Sequence, residues 1–248
     1  MSKQSGLGDN LYVGGYNISG DVGQLGRIGG GPALLEVTGI DKSAVERLGG
    51  KRDGSIDFTA YFDDAALLEH VALSPLPTAD ALLTYFRGTT LGNPAAGLEA
   101  KQVNYDGSRG EDGSLTFDVN AIANGYGIEF GRSLTAGVRT DTGATSGSSI
   151  DYGATIGQTL LGAQAYLQVF DFTGTDVTVT VEDSTNDSAW ASLVAFTAVT
   201  SGPTDERVAT SGSTTVDRYI RVTTSTTGGF SDLDFAVMVV KNETAIVF

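Results

Sequence analysis

The stretch Gly49–Asp64, GGKRDGSIDFTAYFDD, gives the clearest indication of the fold. From Ser55 to Phe62 apolar side chains alternate with polar ones, which is the period of a β-strand with one buried face. A second stretch, Ala100–Ser133, AKQVNYDGSRGEDGSLTFDVNAIANGYGIEFGRS, repeats this pattern of strands beside charged, glycine-containing turns. The sequence therefore predicts antiparallel sheet in this part of the chain.

The same patterns predict the remaining elements. Helical segments are expected where Asp precedes a helix-forming run, over residues 41–48 and 63–72. Further strands are expected over residues 34–38, 82–87, 165–172, 176–182, 195–199, 207–210, 218–224 and 235–241. The chain is therefore expected to be mainly β.

Changes of composition divide the chain into four segments. We expect a Gly-rich arm over residues 1–32, a β domain over 33–137 and a small, polar linker over 138–162. Short strands at regular spacing over residues 163–248 predict a second, jelly-roll-like β-sandwich domain.

Composition excludes several classes of function. The chain has no Cys and one His, which excludes thiol catalysis, Cys-ligated zinc and any site with several histidines. The formal net charge of −15, without a block of Lys or Arg, argues against tight binding of nucleic acid. The first residues lack the apolar core of a signal peptide, and no apolar run approaches the length of a membrane span. We therefore expect synthesis in the cytoplasm and no membrane insertion.

Reactive groups come together at only one place in the sequence, where Asp63 and Asp64 precede Glu69 and His70. A general acid and base pair would require these groups to converge on a substrate. Acidic residues at the start of a helix are favoured by the helix dipole in any case. We therefore expect no catalytic residues and no enzymatic activity.

The run Glu182–Asp187 places several oxygen ligands within six residues. Ca²⁺ binds carboxylate and carbonyl oxygens, but the run lacks the spacing and the central Gly of an EF-hand loop. Asp and Asn are also ordinary residues of a polar hairpin turn. The turn is the favoured interpretation, and no cofactor or metal is predicted.

Two charged, Gly-flanked segments remain as candidate contact sites. They are the expected loops Gly49–Gly54 and Asp106–Gly113. The first has three alternative roles: a small nucleic-acid patch, a solvated surface, or a contact between subunits in which charges fix the register. For the second, a turn is favoured over a metal site, and contact with a neighbouring subunit is the role expected of both. The residues assigned to intersubunit contact are Arg47, Lys51, Arg52, Asp53, Arg109, Glu111 and Asp112.

Three stretches together resemble a known family. They are Glu46–Asp64 (ERLGGKRDGSIDFTAYFDD), Leu73–Gly88 (LSPLPTADALLTYFRG) and Ala100–Gly137 (AKQVNYDGSRGEDGSLTFDVNAIANGYGIEFGRSLTAG). In the order of their strands, helix and loops they resemble the major tail protein, or tail tube protein, of long-tailed phages, and most closely of phages that infect actinobacteria. The strands after residue 162 resemble jelly-roll modules appended to phage virion proteins.

The resemblance implies a β-sandwich that curls into a barrel with a flanking helix. It also implies hexameric rings that stack into a tube in the virion tail. The partners would be other copies of the chain, the tape-measure protein, and the tail terminator and distal tail proteins. DNA would pass through the lumen during infection without specific binding. Unlike the simplest tail tube proteins, this chain continues for about a hundred residues.

Two further expectations depend on this resemblance. We expect Asp57, Asp118 and Glu129, on the polar faces of barrel strands, to face the lumen. We expect residues 152–248 to decorate the exterior and to be dispensable for tube assembly.

The alternative interpretation is a carbohydrate-binding or host-adhesion module. In that case Trp190, Tyr166 and Tyr219 would stack on sugars.

Overall fold

The computed structural model describes residues 5–244 and is mainly β. The first nine strands are β1 (Asn10–Val13), β2 (Tyr16–Asn17), β3 (Val22–Glu36), β4 (Arg47–Tyr61), β5 (Ala81–Phe86), β6 (Pro94–Gln102), β7 (Asp106–Arg109), β8 (Leu115–Ala123) and β9 (Glu129–Ser133). The others are β10 (Arg139–Asp141), β11 (Ile150–Asp151), β12 (Ala163–Gly174), β13 (Thr178–Ser184), β14 (Ala191–Ala195), β15 (Thr204–Ala209), β16 (Tyr219–Ser225) and β17 (Phe230–Lys241). Two short helices are α1 (Glu69–Leu73) and α2 (Gly153–Ile156).

The strands form a 13-stranded sheet and a four-stranded sheet. The larger one runs in the order β15-β12-β17-β9-β6-β5-β1-β2, and β10 pairs with β17. Strand β6 pairs with β5 along one edge. Along its other edge it pairs first with β9 and then with β8. Strand β8 also pairs with β4 and β7, and β4 in turn pairs with β3. The smaller sheet has the order β11-β16-β13-β14.

The first core is built by the N-terminal strands of the large sheet. It contains Leu11 of β1, Phe58 of β4, Leu98 of β6 and Val119 of β8, all of which are buried. The buried side chains of this cluster therefore share one face of this part of the sheet. The alternation seen in the sequence is the cause, since the even-numbered residues 56–60 of β4 point inward.

The second core lies between the two sheets. Val179 and Val181 of β13 and Val222 of β16 pack against Leu167 of β12 and Val237 of β17. Two sheets packed face to face in this way form a β-sandwich, which confirms the predicted all-β character of this half.

A third core joins the two halves of the chain. Strand β17 turns Val237 toward the sandwich core and Met238 toward the opposite side, where Tyr12 and Phe86 of the N-terminal half are also buried. Its backbone pairs with β9 at Met238↔Ser133. A strand covered on both faces is a continuous apolar run rather than an alternating one. The halves therefore share both a sheet and a buried layer.

Two of the predicted segments have more structure than expected. The predicted arm contains β1, whose Leu11 and Tyr12 are fully buried, and the first part of β3. The predicted linker contains β10, β11 and α2, and its Thr159 bridges to Val216. The division into separate domains stays a prediction. Residues 1–4 of the predicted arm and 245–248 of the predicted second domain lie outside the described residues.

Other differences are local. Residues 41–48 form the end of a hairpin and the start of β4, not helical turns, because Val37 and Glu46 pair across the chain reversal. The helix predicted over 63–72 is limited to α1. The strand predicted over 195–199 lies earlier, as β14. Neither helix within residues 5–244 has the length and apolarity needed to cross a membrane.

Candidate assembly surface

A long hairpin leaves the body of the protein. Strand β3 pairs with β4 from Val22↔Ala60 to Glu36↔Arg47. Strand β4 pairs with β8 only over Ser55–Tyr61, so the part of the hairpin between residues 30 and 54 is a ribbon of two strands. At about 3.3 Å per residue this ribbon is on the order of 20 Å long. We refer to residues 30–53 as the hairpin arm.

Apolar side chains are exposed along the hairpin arm. Six aliphatic residues share this property, and their exposed fractions are 69% for Leu34, 54% for Leu35, 47% for Val37, 109% for Ile40, 50% for Val45 and 57% for Leu48. Leu34 and Leu35 point to opposite faces of the ribbon, so both of its faces expose apolar side chains. Exposed apolar surface of this kind on a soluble protein marks an interaction surface. An isolated two-stranded ribbon is also only marginally stable in water. Both properties indicate that another surface covers the hairpin arm.

The local sequence explains the shape of the hairpin arm. Gly30 lies against the backbone of the opposite strand, where an added Cβ would come within 2.2 Å of the Asp53 carbonyl oxygen. Gly31 has a φ of 155°, and Pro32 precedes an irregularity in the register. The close approach at Gly30 requires glycine, and the irregularity increases the local twist that carries the arm away from the sheet.

The predicted contact residues are divided between two places. Arg47, Lys51, Arg52 and Asp53 lie on β4 within the hairpin arm, so they occupy a strand and not the expected loop. Their prediction as intersubunit contacts is untested. The hairpin arm has four acidic and four basic residues and is therefore neutral within a chain of net charge −15.

The other predicted contact residues lie at the opposite end of β4. Arg109 ends β7, and Glu111 and Asp112 occupy the turn before β8. This turn is near the end of β4, because the Phe62 amide donates to the Leu115 carbonyl at 3.0 Å. Eight residues of extended strand, from Gly54 to Tyr61, therefore separate the two sets. They cannot form one contact patch on a single chain.

Asp57 and Asp118 lie on the same face of the sheet, opposite to the first core. Asp57 faces Asn120 in the register of β4 and β8, and the next pair on this face is Thr59 with Asp118. The Thr59 hydroxyl donates to Asp118 at 2.6 Å. Asp118 is exposed, while Asp57 is partly buried.

Glu129 does not share this environment, and its prediction as a lumen-facing residue is wrong. Its side chain is 5% exposed and receives hydrogen bonds from Arg207 at 3.0 Å and from the Tyr166 hydroxyl. Burial and the Glu129 carboxylate raise the pKa of Tyr166, so the phenol remains a hydrogen-bond donor. The alternation in β9 could not reveal this, because Arg207 lies 78 residues further along the chain.

Like the pair of Glu129 and Arg207, polar contacts beside Leu82 join the N-terminal and C-terminal halves of the chain. The Asp205 carboxylate accepts a hydrogen bond from the Leu82 amide at 3.1 Å, and the buried Gln168 amide donates to the Leu82 carbonyl at 2.9 Å. Burial raises the pKa of Asp205 from 3.8 to about 6, although the Leu82 hydrogen bond acts in the opposite direction.

This environment predicts a pH dependence of stability. Because the pKa of Asp205 is higher in the folded chain, its contribution to the free energy of unfolding decreases as pH rises from about 4 to about 6. Asp205→Asn removes the charge and retains an oxygen acceptor for Leu82. We expect it to stabilise the chain at pH 7.5 by up to about 3 kcal/mol and to have little effect at pH 4. Urea unfolding at the two pH values measures this, with exposed Asp64→Asn as the control. Equal effects of Asp205→Asn at both pH values would contradict it.

The fold brings together only two of the four residues considered for catalysis, Glu69 and His70. Glu69, the first residue of α1, is fully buried, while His70 packs against Phe62 and its Nδ1 lies 2.9 Å from the Tyr105 hydroxyl. Burial raises the pKa of Glu69. Asp63 accepts the His70 amide hydrogen bond through its backbone carbonyl and not its carboxylate. Glu69 and His70 thus both lie beside Tyr105, whereas the Asp63 carboxylate accepts from the Ala65 amide and Asp64 is exposed.

The predicted acidic run is also dispersed among separate partners. Glu182 pairs with Arg221 at 2.8 Å, Asp183 accepts from the Asp217 amide at 2.8 Å, and Asp187 accepts from the Ser149 hydroxyl at 2.6 Å. Among residues 5–244 no three His, Cys, Asp or Glu side chains are grouped so as to hold a metal ion.

The aromatic residues proposed for sugar stacking do not form a platform. Tyr166 is fully buried, so this part of the prediction is wrong. Trp190 is half-buried, with the Arg221 guanidinium 4.1 Å from its ring centre, and Arg218 lies 4.9 Å from the Tyr219 ring.

Comparisons with known proteins find similarity only in solved structures. No protein-family model matches the chain, and no curated protein matches it. The chain is similar to the SPP1 Dit (gp 19.1) protein, described as a paradigm of the hub adsorption apparatus in phages that infect Gram-positive bacteria. The identity is 10% over 94% of this chain and 98% of that one, with a TM-score of 0.33.

Two further similar chains come from the phage p2 baseplate in its activated conformation. The chain from the baseplate with Sr has 8% identity over 95% of this chain and 99% of that one, with a TM-score of 0.32. The chain from the baseplate with Ca has 11% identity over the same shares, with a TM-score of 0.26. These TM-scores are too low to establish a common fold.

Proposed function

We propose that this chain is a structural protein of a phage tail. More specifically, we propose that it is the tail tube subunit, which forms hexameric rings that stack into a channel for DNA. The observation that carries the proposal is the hairpin arm, an exposed two-stranded ribbon with six exposed aliphatic side chains. The sequence resemblance of residues 11–137 to tail tube proteins supports the same conclusion.

The occupant that best fits the hairpin arm is a second copy of the chain. The body is strongly acidic, whereas the arm is neutral and has basic residues on β4. A neutral arm can approach the acidic body of a neighbour without the repulsion that two acidic surfaces would produce. Burying the six aliphatic side chains against that body supplies the favourable free energy.

Unpaired strand edges also support assembly. Among residues 5–244 the 15-residue β3 pairs only with β4, so one of its edges has no strand partner within this range. Such an edge promotes pairing with another chain. In a closed ring every copy of the chain makes the same contacts, so no copy keeps an unpaired edge.

The channel would be lined by the face that contains Asp57 and Asp118. Carboxylates repel the phosphate backbone, so a wall of this kind would let DNA pass without retaining it. The four-stranded sheet covers the far side of the sandwich and would lie on the outside of the tube. The tape-measure, terminator and distal tail proteins would be further partners.

Substitutions in the hairpin arm provide the test. Leu34→Asp combined with Ile40→Asp places two charges on the apolar surface, and we expect the variant to sediment as a monomer while the native chain sediments as a hexamer or larger. Each buried aliphatic side chain contributes about 1.5–3 kcal/mol, so two such losses weaken each contact by at least a hundredfold. Sedimentation velocity measures the distribution.

Leu160→Asp is the matched control, because Leu160 is 62% exposed but lies outside the hairpin arm. It should assemble as the native chain does. A double variant that still forms hexamers, or a native chain that stays monomeric, would contradict the proposal.

A further inference from the structure

The base of the hairpin arm forms one wall of a pocket of about 330 Å³. The opposite wall is Asn120 and Ile122 of β8, and Arg27 of β3 lies at the side. Ser55 and Asp57 point into this pocket from β4, since the odd-numbered residues of β4 lie opposite to the first core. The pocket is contained within one chain.

Three oxygen atoms in this pocket have no hydrogen-bond partner. They are Ser55 Oγ, Asp57 Oδ1 and Asn120 Oδ1, and each is shielded from solvent. Ser55 as a residue is only 6% exposed. A buried polar atom without a partner costs about 1–3 kcal/mol, so three neighbouring ones require an explanation. The Asp57 carboxylate only accepts hydrogen bonds, whereas the Ser55 hydroxyl and the Asn120 NH2 group can also donate. Neither donor reaches these oxygens in the structure, so a donor or a cation from outside would satisfy them.

The strand register brings these oxygens together. Asp57 lies directly opposite Asn120, and Ser55 is two residues from Asp57 on the same face. Cβ atoms of facing residues are about 4.5–5.5 Å apart. Ca²⁺ bonds to oxygen at about 2.3–2.6 Å, so one ion can bind two oxygens that are about 5 Å apart. The spacing therefore suits an ion between the two strands.

We propose that Asp57, Asn120 and Ser55 form a binding site for Ca²⁺. The ligands are a carboxylate, an amide oxygen and a hydroxyl, which is the oxygen-only set that hard cations select. Backbone carbonyls and water complete the coordination, and exposed Asp53 adds a carboxylate near the opening. Because the set contains one deeply placed carboxylate, the dissociation constant should be about 0.1–1 mM.

Arg27 provides a diagnostic for this site. It faces Asp57 in the register of β3 and β4 but is exposed, and none of the ion pairs found within residues 5–244 includes it. Its positive charge opposes cation binding without occupying the position between the oxygens. Arg27→Gln is therefore expected to tighten Ca²⁺ binding, whereas a purely structural role for Asp57 predicts no such effect.

Calorimetric titration of the full chain with CaCl₂ tests the proposal. KCl at about 0.15 M screens the non-specific attraction of Ca²⁺ to the acidic surface. We expect one saturable site, weakened about tenfold or more by Asp57→Asn. Ser55→Ala should weaken it less and leave folding intact, because it removes a hydroxyl that has no partner. MgCl₂ should bind more weakly, since Mg²⁺ requires a near-ideal octahedral site.

Asp118→Asn is the matched control, because it removes an equal charge from an exposed position on the same face. Its Ca²⁺ affinity should equal that of the native chain. Equal weakening by Asp57→Asn and Asp118→Asn, or no saturable binding up to about 10 mM, would overturn the proposal. The titration does not require ring assembly, so its failure would leave the proposed tail function untouched.

Discussion

Removal of residues 152–248 is expected to leave the remaining N-terminal half unfolded or aggregated. The truncation removes β17, which pairs with β9, and it uncovers Tyr12, Leu82 and Phe86 of the third core. Each large apolar side chain that loses its cover costs about 1.5–3 kcal/mol. Three such losses amount to most of the 5–15 kcal/mol that stabilises a typical domain.

From the sequence, residues 152–248 are expected to be dispensable for tube assembly. The pairing of β9 with β17 and the shared third core give the opposite expectation. The circular dichroism and thermal unfolding of residues 1–151 can be compared with those of the full chain. A variant that lacks the tip of the hairpin arm, residues 37–46, is the control and should unfold cooperatively, because those residues cover none of the three cores. A cooperative transition in residues 1–151 would show that the shared sheet is not needed.

Arg207→Ala is expected to cost about 3–5 kcal/mol of the free energy of unfolding. It leaves the buried Glu129 carboxylate without a cationic partner, and it also exposes the Tyr126 ring, whose centre is 3.7 Å from the guanidinium. Glu129→Gln combined with Arg207→Met should cost less than Arg207→Ala alone, because the double variant buries no unpaired charge.

The control for this comparison is Arg218→Ala. Arg218 pairs with Asp151 at 2.6 Å, but both side chains are substantially exposed, so solvent screens the interaction. Urea unfolding of the variants at pH 7 measures the differences. Equal losses from Arg207→Ala and Arg218→Ala would contradict the view that the Glu129 pair holds the two halves together.

The sequence was most informative where one face of a strand is buried. The alternation around Ile56 and Phe58 predicts β4, and the run Leu115–Ala123 coincides with β8. The segment before residue 33 was misjudged because its many glycines weaken any pattern, although NLYV at residues 10–13 is a short strand with three buried side chains. Glycine there allows the close strand contacts of the hairpin arm.

Connections between distant segments could not be predicted. The pairing of β9 with β17 joins residues about a hundred positions apart, and no local pattern reports it. One signal was present in the run AVMVV at residues 236–240, which is apolar at every position. A strand buried on both faces has this composition, and here it marks the layer shared by the two halves.

The face that contains Asp57 and Asp118 was predicted only in part, again because local patterns do not report contacts between distant residues. The alternation of polar and apolar residues placed Asp57, Asp118 and Glu129 alike on the polar faces of strands. The partner Arg207, which removes Glu129 from that face, becomes visible only in three dimensions. The exposed aliphatic residues of the hairpin arm were missed because in sequence they look like an ordinary buried strand followed by a helix.

Electron microscopy of the purified full-length chain in negative stain tests the central claim most directly. The account predicts six-fold rings with a central channel, and stacks of such rings at high protein concentration. Rings that never stack would indicate a ring-forming component other than the tube. Particles of single chains at every concentration, with the hairpin arm uncovered, would contradict the account.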